Sequence, residues 1–150
     1  MLKNIDPLLN ADILYALRAM GHGDTVAIVD ANFPADSVAR QTILGKVLRI
    51  DGVDAARATE AVLSVMPLDT FVEDAALCMA VVDKPSVVPE ARRAIQGAID
   101  AAEGKSRPQK PVERMAFYEF AKKAYCVIAT GETRFYGNVI LTKGVIPPKA

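Results

Sequence analysis

Apolar positions along the chain switch repeatedly between two spacings. In ADILYALRAM, residues 11–20, Ile13, Leu14, Leu17 and Met20 recur three and four apart, which predicts a helix. Asn10 stands where a cap would accept the first free N–H groups, and Gly21 where a helix commonly ends. Thr25 to Asp30, TVAIVD, is instead a short apolar run rich in β-branched residues, the mark of a largely buried strand. Asn32-Phe-Pro-Ala reads as a turn, and Val47 to Ile50 as a short strand closed by Asp51-Gly52. Asp54 to Met66 is alanine-rich and helically periodic, and Pro67 ends it. Ala75 to Val82, AALCMAVV, reads as another buried strand. Pro89 opens a helix, PEARRAIQGAIDAAEG, that Gly104 closes. Lys105 to Val112, KSRPQKPV, is polar, basic and proline-bearing, which predicts a surface loop. Helical spacing returns from Glu113 to Ala124. Strands follow at Tyr125–Thr130 and Asn138–Leu141, joined by a turn through Gly131.

Strands alternating with helices predict an α/β fold of three layers, a mostly parallel, mixed sheet covered by helices on both faces. The last two strands stand too close in sequence for a crossover helix, which predicts that they pair antiparallel. A chain of 150 residues is expected to form one domain, and after residue 112 too little chain remains for a second core. There are no internal repeats and no low-complexity segments.

Eighteen basic residues balance eighteen acidic ones. That balance argues against a nucleic-acid or membrane-surface partner held by bulk charge, and it leaves little self-repulsion to oppose association of like chains. No apolar run is long enough to span a membrane. The N-terminal MLKNIDPLLNADIL is interrupted by charges and lacks a cleavage-site pattern, so no signal peptide is expected. Cys78 and Cys126 each lie in a strand-like run without C-x-x-C spacing. Buried free thiols in a reducing cytoplasm are expected, not a disulfide framework or a zinc site.

The one histidine, His22, lies in the stretch MGHGDTVAIVDANFP between two glycines. It falls in the helix-to-strand connection. Its imidazole is the side chain best suited to exchange protons at neutral pH, and the flanking glycines permit a close approach. A half-exposed loop histidine capping a helix end is the competing structural reading. Asp30, where the strand meets a turn, is placed either for a ligand outside the carboxyl end of the strand or for an Asx-turn to Asn32. Eight residues of straight strand separate His22 from Asp30 by roughly 26 Å. To share one pocket, the segment must bend, or neighbouring copies of the chain must each supply one of the two.

A second constellation is Glu132-Thr-Arg-Phe-Tyr136-Gly137-Asn138. An aromatic face beside amide and carboxylate groups suits a sugar, with Gly137 admitting the backbone close to it. A hairpin turn with an interfacial tyrosine is the plain alternative. Phosphate-binding glycine patterns, the G-x-S-x-G elbow and a second histidine are all absent.

Taken jointly, MLKNIDPLL, MGHGD, DANFPA, the FYE of residues 117–119, TGE and YGNVILTKGV resemble the fucose branch of the RbsD/FucU sugar-mutarotase family, in order and near-spacing from end to end. The likeness is loose between about residues 35 and 110. The related ribose pyranases favour GHTD and YAN where this chain has GHGD and YGN. The resemblance implies an isomerase interconverting the α and β anomers of L-fucose or a similar monosaccharide, cytoplasmic and without cofactor or metal. It also implies a ring-like homodecamer with sugar sites at subunit boundaries. It assigns catalysis to His22 and, with it, Tyr118. It assigns sugar binding to Asp30, Asp69, Arg114, Tyr136, Gly137 and Asn138. Two departures stand out: Phe120 replaces the arginine usual after FYE, and the segment 94–110 is longer than expected. A ribose-type pyranase and a non-catalytic sugar-binding protein are the rival expectations.

Overall fold

A computed structural model describes residues 1–150. Its elements follow in chain order: α1 (Ala11–Ala19), β1 (Thr25–Val29), α2 (Ala35–Ala39), β2 (Val47–Ile50), α3 (Ala55–Leu63), β3 (Ala76–Met79), α4 (Glu90–Glu103), β4 (Lys110–Val112), α5 (Arg114–Lys122), β5 (Cys126–Thr130) and β6 (Val139–Thr142). The six strands form one sheet in the order β2-β5-β1-β6-β3-β4. All neighbours run parallel except β6, which lies antiparallel to both β1 and β3.

Alternation along each strand divides the core in two. Val26, Ile28, Cys126, Ile128, Val139 and Leu141 face α1, α3 and α4 in the larger apolar cluster. Ala27, Val29, Val127, Ala129 and Ile140 face the other way, onto Val38 of α2 and Phe117 and Ala121 of α5. The small alanines on this second face make room for Phe33 and Phe117, whose rings meet edge to face 6.0 Å apart. Both cysteines are buried and free. Burial pushes the Cys78 thiol up to about 11 and the Cys126 thiol up to about 12, so both stay protonated and unreactive.

The structure agrees with the predicted three-layer α/β class and departs from the sequence reading at four places. First, β5 and β6 do not pair; β1 lies between them, and the segment 131–138 crosses its end. The short connection excludes a crossover helix, but a strand can still skip one neighbour. Second, residues 110–112 are an edge strand parallel to β3, where the prolines and lysines predicted a loop; Pro111 is tolerated on an edge. Third, the stretch after the Asn32–Ala35 turn forms the short helix α2, too brief to show periodicity. Fourth, α1 does not end on a left-handed glycine at Gly21: Met20 turns to extended backbone, and the positive φ falls on Gly23 at 87°.

Buried Glu132 fastens the crossing segment. It accepts from Arg134 Nε (2.9 Å) and Nη2 (2.8 Å), and from the N–H of Ala55 at the start of α3 (3.3 Å). Arg134 Nη1 reaches Glu90 at the start of α4 (3.0 Å). These bonds, foremost the Arg134 side chain, hold the Glu132 carboxyl below its ordinary range. A depressed folded pKa contributes stability that is complete above the unfolded value and lost as pH falls through the folded one. Glu132→Ala is therefore expected to cost about 3 kcal/mol at neutral pH. Denaturant unfolding at several pH values should show that deficit shrinking below the usual glutamate value of 4.5.

Candidate active site

The predicted residues gather at two opposite ends of the sheet. At the carboxyl end of β1 and β3, a cavity of about 330 Å³ is lined by Asp30, Asn32, Phe33, Met79, Arg114, Tyr118, Phe135, Tyr136 and Asn138. That volume lies at the lower end of the small-molecule range, roughly 300–1,000 Å³. Arg114 and Tyr118 come from one face of α5, four residues apart, while Phe117 between them enters the core. Glu113 caps that helix, accepting from the N–H groups of Met115 (2.9 Å) and Ala116 (3.0 Å).

Asp30 is buried at the centre. Its Oδ1 accepts from the N–H groups of Asn32 and Phe33, both at 3.0 Å. Its Oδ2 accepts from the Gly137 N–H (3.2 Å) and Asn138 Nδ2 (3.1 Å), and the Asp30 N–H donates to Asn138 Oδ1 (2.9 Å). Asp30 thus forms the Asx-turn and also lines the cavity. Burial raises its pKa above the ordinary carboxylate value, and the four hydrogen bonds oppose that rise. Tyr136 adopts a left-handed φ of 60° and accepts from the Val82 N–H through its hydroxyl (3.2 Å), which leaves the phenolic proton free to donate.

At the other end, His22 Nε2 lies 3.1 Å from Asp69 Oδ1. The His22 side chain is 43% exposed and the Asp69 side chain 3%. The Phe71 ring stands edge-on to the imidazole, centroids 5.2 Å apart. The Phe71 N–H donates to Asp69 Oδ1 (3.0 Å) and is the main reason the carboxyl sits below its usual range; His22 adds to the effect. An ionised acceptor at Nε2 assigns the proton of a neutral imidazole to that nitrogen and leaves Nδ1 a lone pair. Arg107, from the long 94–110 segment, donates through Nη2 to the Asp69 carbonyl (2.5 Å), so that segment does border the histidine end.

β1 is a continuous strand, so the chain does not bend to bring His22 and Asp30 together. Glu132, considered as a sugar-facing carboxylate, is instead spent on Arg134. Phe120 is half exposed on α5 and outside the cavity lining. Sequence reasoning missed Asn32, Phe33, Met79 and Phe135 as cavity walls. Asn32, Phe33 and Met79 stand at or just beyond the carboxyl end of a strand, the one signal that points to them.

The model of the RbsD / FucU transport protein family matches residues 3–146. The chain belongs to the RbsD / FucU family. Within this family it is 43% identical over 156 residues to fucose mutarotase of Danio rerio, covering 99% of this chain and 97% of that protein. A solved protein provisionally described as sugar binding is 64% identical, with a TM-score of 0.96 over 98% of this chain and 97% of its own. The solved fucose mutarotase of Streptococcus pneumoniae in complex with L-fucose is 36% identical, with a TM-score of 0.86 over 97% of this chain and all of that one. The RbsD/FucU resemblance read from the motifs is thereby borne out.

Gly137 tests the construction of the site. A Cβ there would lie 2.5 Å from Glu132 Cγ, a side chain that Arg134 keeps from moving. Gly137→Ala is expected to destabilise the protein by about 1–3 kcal/mol. It should also weaken sugar binding by displacing Tyr136 and Asn138. Thermal unfolding and sugar-induced quenching of tyrosine fluorescence check the two effects.

Proposed function

We propose that this protein is an L-fucose mutarotase, a cofactor-independent isomerase that opens and recloses the sugar ring by general acid–base chemistry. The observation that carries the reading is His22. The one imidazole of the chain stands open to solvent with Nε2 tied to a buried carboxylate and Nδ1 free to exchange a proton.

In the forward step, Nδ1 takes the proton of the anomeric hydroxyl while Tyr118 gives its phenolic proton to the ring oxygen. The C1–O5 bond breaks, and the anomeric oxygen becomes the carbonyl of the open-chain aldehyde. Rotation about C1–C2 presents the other face. The ring hydroxyl then attacks C1 as its proton returns to Tyr118 and the imidazolium protonates the new anomeric oxygen. No electron or group is left over, so the step calls for no redox partner. Asp69 orients the imidazole, a role in place of the direct sugar contact expected from the resemblance. Arg114 and Asn138 hold sugar hydroxyls. Gly137 and Asp30 fix Asn138, and the rings of Phe33, Tyr136 and Phe135 form the apolar wall.

The two ends of the sheet become one site when the His22 end of one chain meets the Asp30 cavity of another. Solvent-exposed Phe71 and Phe135, 71% and 75% accessible, flank the two halves and supply apolar surface for that contact. We assign the assembly as the cytoplasmic ring-like homodecamer that the family resemblance implies. No helix is long and apolar enough to cross a membrane.

Two-dimensional exchange NMR should show faster interconversion of L-fucose anomers with catalytic amounts of protein, and little effect on D-ribose. His22→Ala should reduce the rate by about 10²–10⁴-fold. Sugar binding without acceleration in the unaltered protein would sink the enzyme and leave a binding protein. For the shared site, His22→Ala and Arg114→Ala chains should be nearly inactive alone. Co-expressed, they should recover about a quarter of the wild-type rate, the statistical share of boundaries that draw both intact halves. No recovery in mixed assemblies would mean that each site is completed within one chain.

A further inference from the structure

We propose that Lys143 is a positioning residue for His22, its ammonium group fixing the loop that carries the imidazole; this rests on His22 as the proton carrier. The last turn of α1 leaves backbone carbonyls without helical partners. No left-handed glycine closes this helix, since Met20 leaves it in extended conformation. Lys143 Nζ fills the gap, donating to the carbonyls of Leu17 (2.8 Å) and Met20 (2.5 Å). A cation at a helix C-terminus is also favoured by the helix dipole. The group is retained although burial, aided by the charge of Arg18, lowers the ammonium pKa.

The main chain of Lys143 secures the same loop from the other side. Its carbonyl accepts from the Gly23 N–H (2.9 Å), and its N–H donates to the Asp24 carbonyl (2.8 Å). Within the loop, Asp24 Oδ2 accepts from the Gly21 N–H (2.8 Å). His22 therefore sits between two glycines in a segment tied at both ends to one residue. The partner of His22 is fixed from the same place. The Asp69 N–H donates to the Thr142 carbonyl (2.9 Å), Leu68 bridges Lys143, and a Cβ on Gly144 would lie 2.8 Å from Asp69 Cα. Residues 142–144 thus set the spacing between imidazole and carboxylate, and Lys143 is the one among them whose side chain anchors the loop.

The side chain is separable from the main-chain bonds. Lys143→Met keeps the methylenes and removes the three donors. A displacement of about 1 Å at a catalytic group costs up to about 10²-fold, so kcat for L-fucose exchange should fall at least about tenfold. KM should stay within about twofold, because Arg114, Asn138 and Asp30 lie at the opposite end of the sheet. Lys143→Arg, which restores a cationic donor, should recover most of the rate. The lone histidine adds a readout independent of turnover: one imidazole Cε1–H resonance in the whole chain. It should shift and broaden in Lys143→Met and return in Lys143→Arg. An unchanged kcat, an unchanged imidazole resonance, or kcat and KM altered in equal measure would overturn the proposal. If Lys143→Met fails to fold, Lys143→Gln, which removes the charge and keeps a shorter amide with two N–H donors, is judged by the same outcomes. Wild-type protein that does not accelerate fucose exchange would sink the mutarotase reading, while the resonance would still decide the role of Lys143.

Discussion

The carboxylate of Asp30 holds the cavity end of the molecule together. Nothing else bonds at once the turn leaving β1, the backbone of Gly137 and the amide of Asn138. Its four lone-pair positions are filled by the protein, so its work is to fix the direction of Asn138 and of the Gly137 backbone at the cavity wall. The ion is expensive to keep there, since desolvation outweighs its hydrogen bonds in setting its pKa.

Energetics divide along the same line. Glu132 and Arg134 lock the crossing segment to the starts of α3 and α4, and their pairing favours the folded state at neutral pH. Asp30, at the end of β1 and bonded to Gly137 and Asn138 of that segment, pulls the other way. Tyr136 adds a left-handed backbone that a non-glycine residue adopts only when its surroundings compel it. The stabilising pair and the strained neighbours are therefore one construction, in which the first makes the second possible. At the histidine end the design is simpler: an open ring, a sunken carboxylate and an aromatic edge, all hung from short loops.

Much of this was legible in the chain because burial leaves a periodic trace. The apolar runs of β1 and β5 and the stripe of α4 stand where their spacing predicts. Asn10 and Asp54 cap their helices as their chemistry suggests. What stayed hidden is long-range. The position of β1 between β5 and β6 depends on partners about a hundred residues away, and a tight connection looks like a hairpin from sequence alone. The contact of His22 with Asp69 spans 47 residues and leaves no local pattern. Asp30 and His22 were both recognisable, and the 26 Å problem between them was real. One straight strand keeps them at opposite ends of the sheet, and the shared site proposed above calls on a second chain, which no reading of a single sequence supplies.

β6 carries one further consequence. Asn138 precedes it and Lys143 follows it, and on both flanks it is stitched to neighbours running the other way. It acts as a ruler of set length between the two halves of the machinery. Its apolar side chains are open to exchange for others of similar bulk. An insertion or deletion of a single residue is different in kind: it would swap the two buried faces of the strand, sending Val139 and Leu141 to the side that Ile140 fills, and unhook one anchorage whichever end kept its place. Divergence in this strand is thus permitted in content and forbidden in count.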